Sequence, residues 1–256
     1  MIKALFLAAQ GQRGMGYLHD KLPDSVLPLH TLIGASGPLP PSASVRDPRV
    51  NPKNQSATDA CVGFSAAQAW RISALKLGIA CPDLSGLVPY KLGRASVGMG
   101  DQDNGMTFGG LTAAVERFGM ASEESYPFSV LKVNWNITAS ALHDAYDRRG
   151  IRGIYSIAQD DADGVRRALV KGICVIGAWQ VDGAFMNNAG DTLIDVPTGS
   201  IIGYHSMVIE DFEPDGTFGI LNHYDITWRL NGRCRFTERY VRSSMGFLAF
   251  DLGVTT

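Results

Sequence analysis

A chain of 256 residues, 45% of them hydrophobic, is long enough to bury one large core or two small ones. Its formal net charge is −2 and no run of like charges occurs, which argues against nucleic acid or an anionic membrane surface as a partner. No apolar run reaches the roughly 18 residues of a membrane span, and four cysteines are too few for a disulfide scaffold in a chain of this size.

Residues 1–9 combine a lysine with an apolar run, but the run is only about seven residues long, at the bottom of the range for a signal peptide. Gln10-Gly11-Gln12-Arg13 follows without a cleavage pattern, so the segment reads as part of the protein. Residues 1–38 carry the turn formers Gly11, Gly14, Gly16, Pro23, Pro28, Gly34, Gly37 and Pro38 and no sustained periodicity, which predicts an extended N-terminal arm.

The stretch from Asn54 to Trp70 reads as a polar loop entering a long helix over 61–77, closed by Gly78. Apolar residues fall on most sides of that helix, so it is expected to be buried between other elements. Cys61 sits in its first turn, where the partial positive charge and free N–H groups of a helix start favour thiolate over thiol. The competing reading is a small buried residue, because free cysteine packs like a hydrophobe. Six residues upstream, Gln55 can bring a side-chain amide to the same spot, and with the Cys61 N–H it makes two donors for an oxyanion on an acyl carbon.

A glycine-rich loop from Asn104 is expected to enter a helix with Leu111, Ala114, Val115 and Phe118 on one face. Gly109 and Gly110 then either let a substrate backbone approach and pair as an added strand, or serve only a tight turn and helix start. The second half changes character: a helix over 161–171, a β-branched strand over 173–181, and strands near 206–212, 217–222, 233–237 and 246–251. Turns fall at 214–216 and 231–232. Helices first and strands second define an α+β chain.

A thiol nucleophile needs a base within reach and a third group that orients the base. His205, at the mouth of a strand, is the best placed of five histidines, and Asn222 can accept from its ring N–H without adding a charge. His223 is a rival base and is set aside in favour of His205.

Gln55-x5-Cys61-x-x-Phe64-Ser65 resembles the nucleophile segment of papain-like cysteine peptidases, and residues 39–47 resemble the start of the mature enzyme. Further matches are residues 84–94, the Asn104-Gly105 to Gly109-Gly110 loop, Glu123-x-x-Tyr126-Pro127, Gly203-Tyr204-His205-Ser206, and the run holding Asn222, Trp228, Asn231, Gly232 and Arg235. The resemblance covers residues 39–250. It implies a two-lobe α+β fold: a helical lobe over about 55–135, an antiparallel β-sheet or barrel lobe over about 150–256, and the active-site cleft between them. It further implies a peptidase domain over 39–256 behind the arm of 1–38.

The implied chemistry is hydrolysis of a peptide or amide bond by Cys61, His205 and Asn222 with Gln55 in the oxyanion hole. Gly109, Gly110 and Trp228 would contact substrate, and no metal or cofactor is called for. The substrate expected is a protein or the peptide of peptidoglycan; the alternative is an inert papain-fold component of a larger assembly such as a phage particle. Val62 stands where the family has tryptophan, Tyr224 replaces the tryptophan that shields the asparagine, and Asp225-Ile226-Thr227 replaces a glycine-rich turn. Thr58 and Met106 stand where family cysteines form disulfides, which implies synthesis in a reducing, cytoplasmic compartment, with incorporation into a virion or other assembly as a further expectation.

The arm is about half the length of the helical propeptides found in relatives. Its apolar residues Ile2, Leu5, Phe6, Leu7, Leu27, Leu29, Leu32 and Ile33 cannot build a core but can lie along another surface. That surface is either the chain's own cleft or a protein partner, and the lack of helical periodicity favours the partner.

Overall fold

Cys61–Lys76 forms α2, and nearly every side of this helix is buried, from Cys61 through Ala69 and on through Trp70, Ile72, Ser73 and Ala74. Small residues make this possible: alanines have high helix propensity and little bulk, so neighbours close over them on several sides. Gly78, at φ 73°, follows the last turn as expected.

The computed structural model describes residues 13–34, 37–100, 102–149, 153–186 and 192–253. Ile2, Leu5, Phe6 and Leu7, expected to pack on a surface, lie outside the described residues. Ahead of α2 come β1 (Tyr17–Leu18), α1 (His30–Ile33) and β2 (Ala43–Ser44). The helical lobe continues with α3 (Leu87–Ser96), β3 (Met106–Thr107), α4 (Phe108–Phe118), a 3-10 turn at Val130–Asn134 and α5 (Ala139–Tyr146). Thr107 caps α4 by accepting from the Gly110 N–H at 2.9 Å, a contact that satisfies one of the orphan donors of the first turn.

The second lobe comprises β4 (Gly153–Ile157), α6 (Ala162–Val170), β5 (Cys174–Asp182), α7 (Gly183–Met186), β6 (Leu193–Ile194), β7 (Ile201–Phe212), β8 (Phe218–Leu221), β9 (Arg233–Phe236), α8 (Glu238–Arg242) and β10 (Phe247–Asp251). Its sheet runs β4-β10-β5-β7-β8-β9-β6, with β2 added against β7. All pairings are antiparallel except β6 with β9. Among the described residues the sheet stays open, so of the sheet or barrel expected, the sheet is formed.

Helix α2 packs against β7 and β5 and so joins the lobes. The Cys174 N–H donates to Ser73 Oγ at 3.1 Å across that contact. Behind it, Glu210 is 1% exposed and takes a two-pronged grip from Arg233, at 2.7 and 3.2 Å. All four cysteines are free thiols. No helix is long and apolar enough to cross a membrane, among the described residues.

Candidate active site

The loop before α2 and the loop after β8 are stitched together, which brings distant sequence segments to one place. The Gln55 N–H donates to the His223 carbonyl at 3.0 Å, and the Asp225 N–H to the Lys53 carbonyl at 2.9 Å. Cys61 starts α2 at this seam, and His205 lies on β7. His205 Nε2 is 2.9 Å from Asn222 Oδ1. A carboxamide oxygen accepts only, so the Nε2 proton is the one donated and Nδ1 is left open. Asn222 Oδ1 also accepts from the His223 N–H at 2.8 Å, which holds the carboxamide in this orientation.

Tyr224, at a position where the family carries tryptophan, stacks on His205 with ring centres 4.5 Å apart and planes 24° off parallel. Its hydroxyl is 3.3 Å from His205 Nδ1. His223 is fully buried, its ring 4.8 Å from that of His205 and stacked on Phe64, and neither ring nitrogen has a hydrogen-bond partner among the described residues. Burial, and then the neighbouring His205, hold its pKa well below the ordinary value, so it is a neutral packing ring here.

Burial decides the charge state of the nucleophile candidate. The Cys61 thiol is pushed up to about 12 by removal from water, against the opposing pull of the N–H groups of Ser206, Gly16 and Val62. The helix-start argument for a thiolate is therefore overturned in this state: desolvation of the charged form outweighs the N–H donors. Burial likewise takes His205 down to about 4, with the Asn222 bond opposing it in part. Thiol and imidazole are both neutral.

The arm lies directly over the thiol. The Gly14 N–H donates to the Ser56 carbonyl at 3.1 Å, Met15 N–H to Asp59 Oδ1 at 3.3 Å, and Gly16 N–H to Cys61 Sγ at 3.3 Å. The Met106 N–H donates to the Gly16 carbonyl at 2.8 Å, and β1 then pairs with β3 in parallel, Tyr17 with Met106 and Leu18 with Thr107. The Gly14 carbonyl accepts from Gln55 Nε2 at 3.1 Å and from the Tyr224 hydroxyl at 2.9 Å. Glycine is required for this approach, since a Cβ on Gly16 would lie 1.8 Å from the Asp59 carbonyl oxygen. Further on, the Leu29 N–H donates to the Ser156 carbonyl at 2.8 Å and the Ser156 N–H to the Leu27 carbonyl at 2.9 Å. The preference for a protein partner is thus corrected for the described part of the arm, which lies along the chain's own cleft.

Gly109 and Gly110 do not form the strand edge that meets the arm. They open α4: Gly110 lies against Gly93 of α3, and the Gly109 N–H binds the Asp20 carboxylate of the arm. The edge is Met106–Thr107, positioned from below because the Tyr90 hydroxyl donates to Asp103 Oδ1 at 2.8 Å and accepts from the Gly105 N–H at 3.1 Å. Trp228 is fully buried against Phe185, with ring centres 5.3 Å apart, and edge-on to Tyr224 at 6.1 Å. A cavity of about 840 Å³ lies between arm and body, lined by Tyr17, Leu22, Leu29, Phe108, Gln159 and Phe247; neither Cys61 nor His205 lines it. Among the described residues no cluster of His, Cys, Asp and Glu side chains is arranged to hold a metal ion. Residue-level reading missed the Tyr224 hydroxyl and the Met106–Thr107 edge. The departure from tryptophan at position 224 was the signal available for the first.

No protein-family model and no curated protein sequence matches the chain. Its structure is similar to those of cysteine proteases and their proforms. Xylellain, a cysteine protease from Xylella fastidiosa, superposes with a TM-score of 0.82 at 18% identity, over 93% of this chain and 96% of that one. A digestive procathepsin L 3 of Tenebrio molitor larval midgut gives 0.72 at 18% identity, over 97% and 79%. A Carica candamarcensis cysteine protease in complex with E-64 gives 0.67 at 17% identity, over 83% and 99%. The fold is papain-like.

Proposed function

We propose that the chain is a papain-like cysteine hydrolase of peptide or amide bonds whose own N-terminal arm keeps it latent. The observation that carries this reading is the seating of a peptide in the cleft: a Gly14 carbonyl on Gln55 Nε2 at 3.1 Å and a backbone N–H on Cys61 Sγ at 3.3 Å. A groove that already holds a main chain at donor distance beside a thiol, an imidazole and an asparagine is equipped for acyl transfer. The arm itself escapes attack because the group it turns to sulfur is an N–H, whereas a nucleophile needs a carbonyl carbon there.

With the arm displaced, water and substrate reach the site and the desolvation that neutralises the pair is relieved. Cys61 then gives its proton to His205 and attacks the acyl carbon; the C=O electron pair moves to oxygen, held by Gln55 Nε2 and the Cys61 N–H. His205 returns the proton to the leaving amine as the C–N bond breaks, and water activated by His205 hydrolyses the thioester. Asn222 keeps the ring in register throughout. The substrate class is an extended peptide, from a protein or from cell-wall cross-links.

The test is labelling and turnover in parallel. Iodoacetamide should modify Cys61 slowly in the full chain and rapidly once Gly16→Val lifts the arm, and the lifted form should cleave a degenerate peptide library or purified peptidoglycan while Cys61→Ala does not. Equal, slow labelling in both forms with no cleavage would remove the reading.

A further inference from the structure

We propose that the Tyr224 hydroxyl is a catalytic donor to the substrate's carbonyl oxygen, sharing that oxygen with Gln55, and is not merely an aromatic shield over the histidine. The proposal rests on the reading of Cys61 as nucleophile and adds to it a group that acts on the reacting carbonyl. Its basis is the Gly14 carbonyl of the arm, which stands in for a bound peptide carbonyl: its oxygen takes one bond from Gln55 Nε2 at 3.1 Å and another from the Tyr224 hydroxyl at 2.9 Å. The ring that carries this hydroxyl packs edge-on against Phe185 and Trp228 of the body, which hold the donor from behind. A tryptophan at this position has no hydroxyl to offer.

Proton bookkeeping couples this donor to His205. The hydroxyl has one proton and two acceptors in range, the carbonyl at 2.9 Å and His205 Nδ1 at 3.3 Å, since Nε2 spends its proton on Asn222. Once His205 takes the Cys61 proton on Nδ1, that nitrogen becomes a donor to the phenol oxygen, and the phenol proton is committed to the carbonyl alone. Negative charge develops on the carbonyl oxygen at the same stage, so the bond strengthens in the transition state more than in the ground state, which is the condition for lowering the barrier. The tyrosine remains protonated throughout, with no net transfer through it.

Tyr224→Phe in the full chain keeps the stacked ring and deletes the oxygen; Tyr224→Trp, which restores the family residue, serves as a second variant if the first folds poorly. Two rates separate the roles. Cys61 alkylation by iodoacetamide should rise several-fold in Tyr224→Phe with the arm seated, because the arm loses its hold at Gly14. Adding Tyr224→Phe to the arm-lifted Gly16→Val form should lower kcat on a peptide that form cleaves by about 10²-fold, with KM moving less. A rise in labelling with an unchanged kcat would overturn the proposal.

A readout free of turnover uses a peptide aldehyde, which forms a hemithioacetal with Cys61 whose oxygen occupies the carbonyl site. With the arm lifted by Gly16→Val, the aldehyde should protect Cys61 from alkylation at least 10-fold less well when Tyr224→Phe is added than without it. Equal protection in both sinks the proposal whether or not any peptide is cleaved. Failure of the underlying hydrolase reading is distinguished by a Gly16→Val chain that neither cleaves the library nor is protected by the aldehyde.

Discussion

Cys61 and His205 are both held neutral, the thiol up to about 12 and the imidazole down to about 4, each chiefly through burial. An ordinary thiol and imidazole titrate near 8.5 and 6.5. Alkylation of the intact chain should therefore stay slow through pH 8 and climb only toward pH 12, whereas an arm-displaced form should show activity over a bell-shaped range, with thiolate formation on the acid limb and His205 deprotonation on the alkaline one. Superimposable profiles for the two forms would contradict control by burial. His205→Ala and Cys61→Ala should each abolish turnover. Gln55→Ala should leave a remnant, since one lost oxyanion donor costs roughly 10² to 10³ in rate. Asn222→Ala should cost less than His205→Ala, because it frees the ring's orientation without removing the base.

The arm is the element on which access depends, and its hold is main-chain hydrogen bonding along a route that only glycine can follow. At Gly16 a Cβ would meet the Asp59 carbonyl oxygen at 1.8 Å, and at Gly14 one would meet the Thr58 carbonyl oxygen at 1.9 Å. Gly16→Val should accordingly lift residues 14–18, raise Cys61 alkylation at pH 7 by more than tenfold, and leave the melting transition of the body in place. Unchanged alkylation in a folded protein would show that the strap tolerates the bulk. Its docking edge has its own support in Tyr90, whose hydroxyl joins Asp103 and Gly105. Tyr90→Phe should cost about 1–3 kcal/mol by leaving the buried Gly105 N–H without its acceptor, read as a drop in Tm.

Across the whole molecule, burying a neutral histidine makes stability depend on pH with a definite sign. The unfolded chain binds a proton on His205 near 6.5 and the folded one only near 4, so the contribution is full above pH 6.5 and is lost as pH falls through that window, by roughly 3 kcal/mol in all. The raised thiols act at the other end: Cys61 and Cys234, pushed upward by burial, favour the fold below pH 9 and withdraw that support above it. Thermal melts between pH 4 and 8 should fall on the acid side in the wild type, and the fall should shrink in His205→Asn; an identical slope in the two would remove His205 as the cause.

What the sequence by itself determined is whatever depends on near neighbours. The helix at Cys61, the glycine that ends it, the β-branched strand from Cys174 and the strand from Ser206 all follow from local propensity and pattern, which act within a turn or a few residues. That last strand begins earlier, at Ile201, and holds His205 within it rather than at its mouth. α5 and β4 carry weaker patterns and were not anticipated. The tertiary structure alone decided the rest. Gly109 and Gly110 could serve as a substrate edge or as a helix start, and a Thr107 cap draws them into α4 and leaves the edge to Met106. The arm's course over Cys61 joins residues 45 apart, and the Tyr224 bond to Gly14 joins residues 210 apart. A thiol's charge state is set by how much water reaches it and a hydroxyl's role by what lies opposite it, and both are properties of the closed cleft rather than of any stretch of chain.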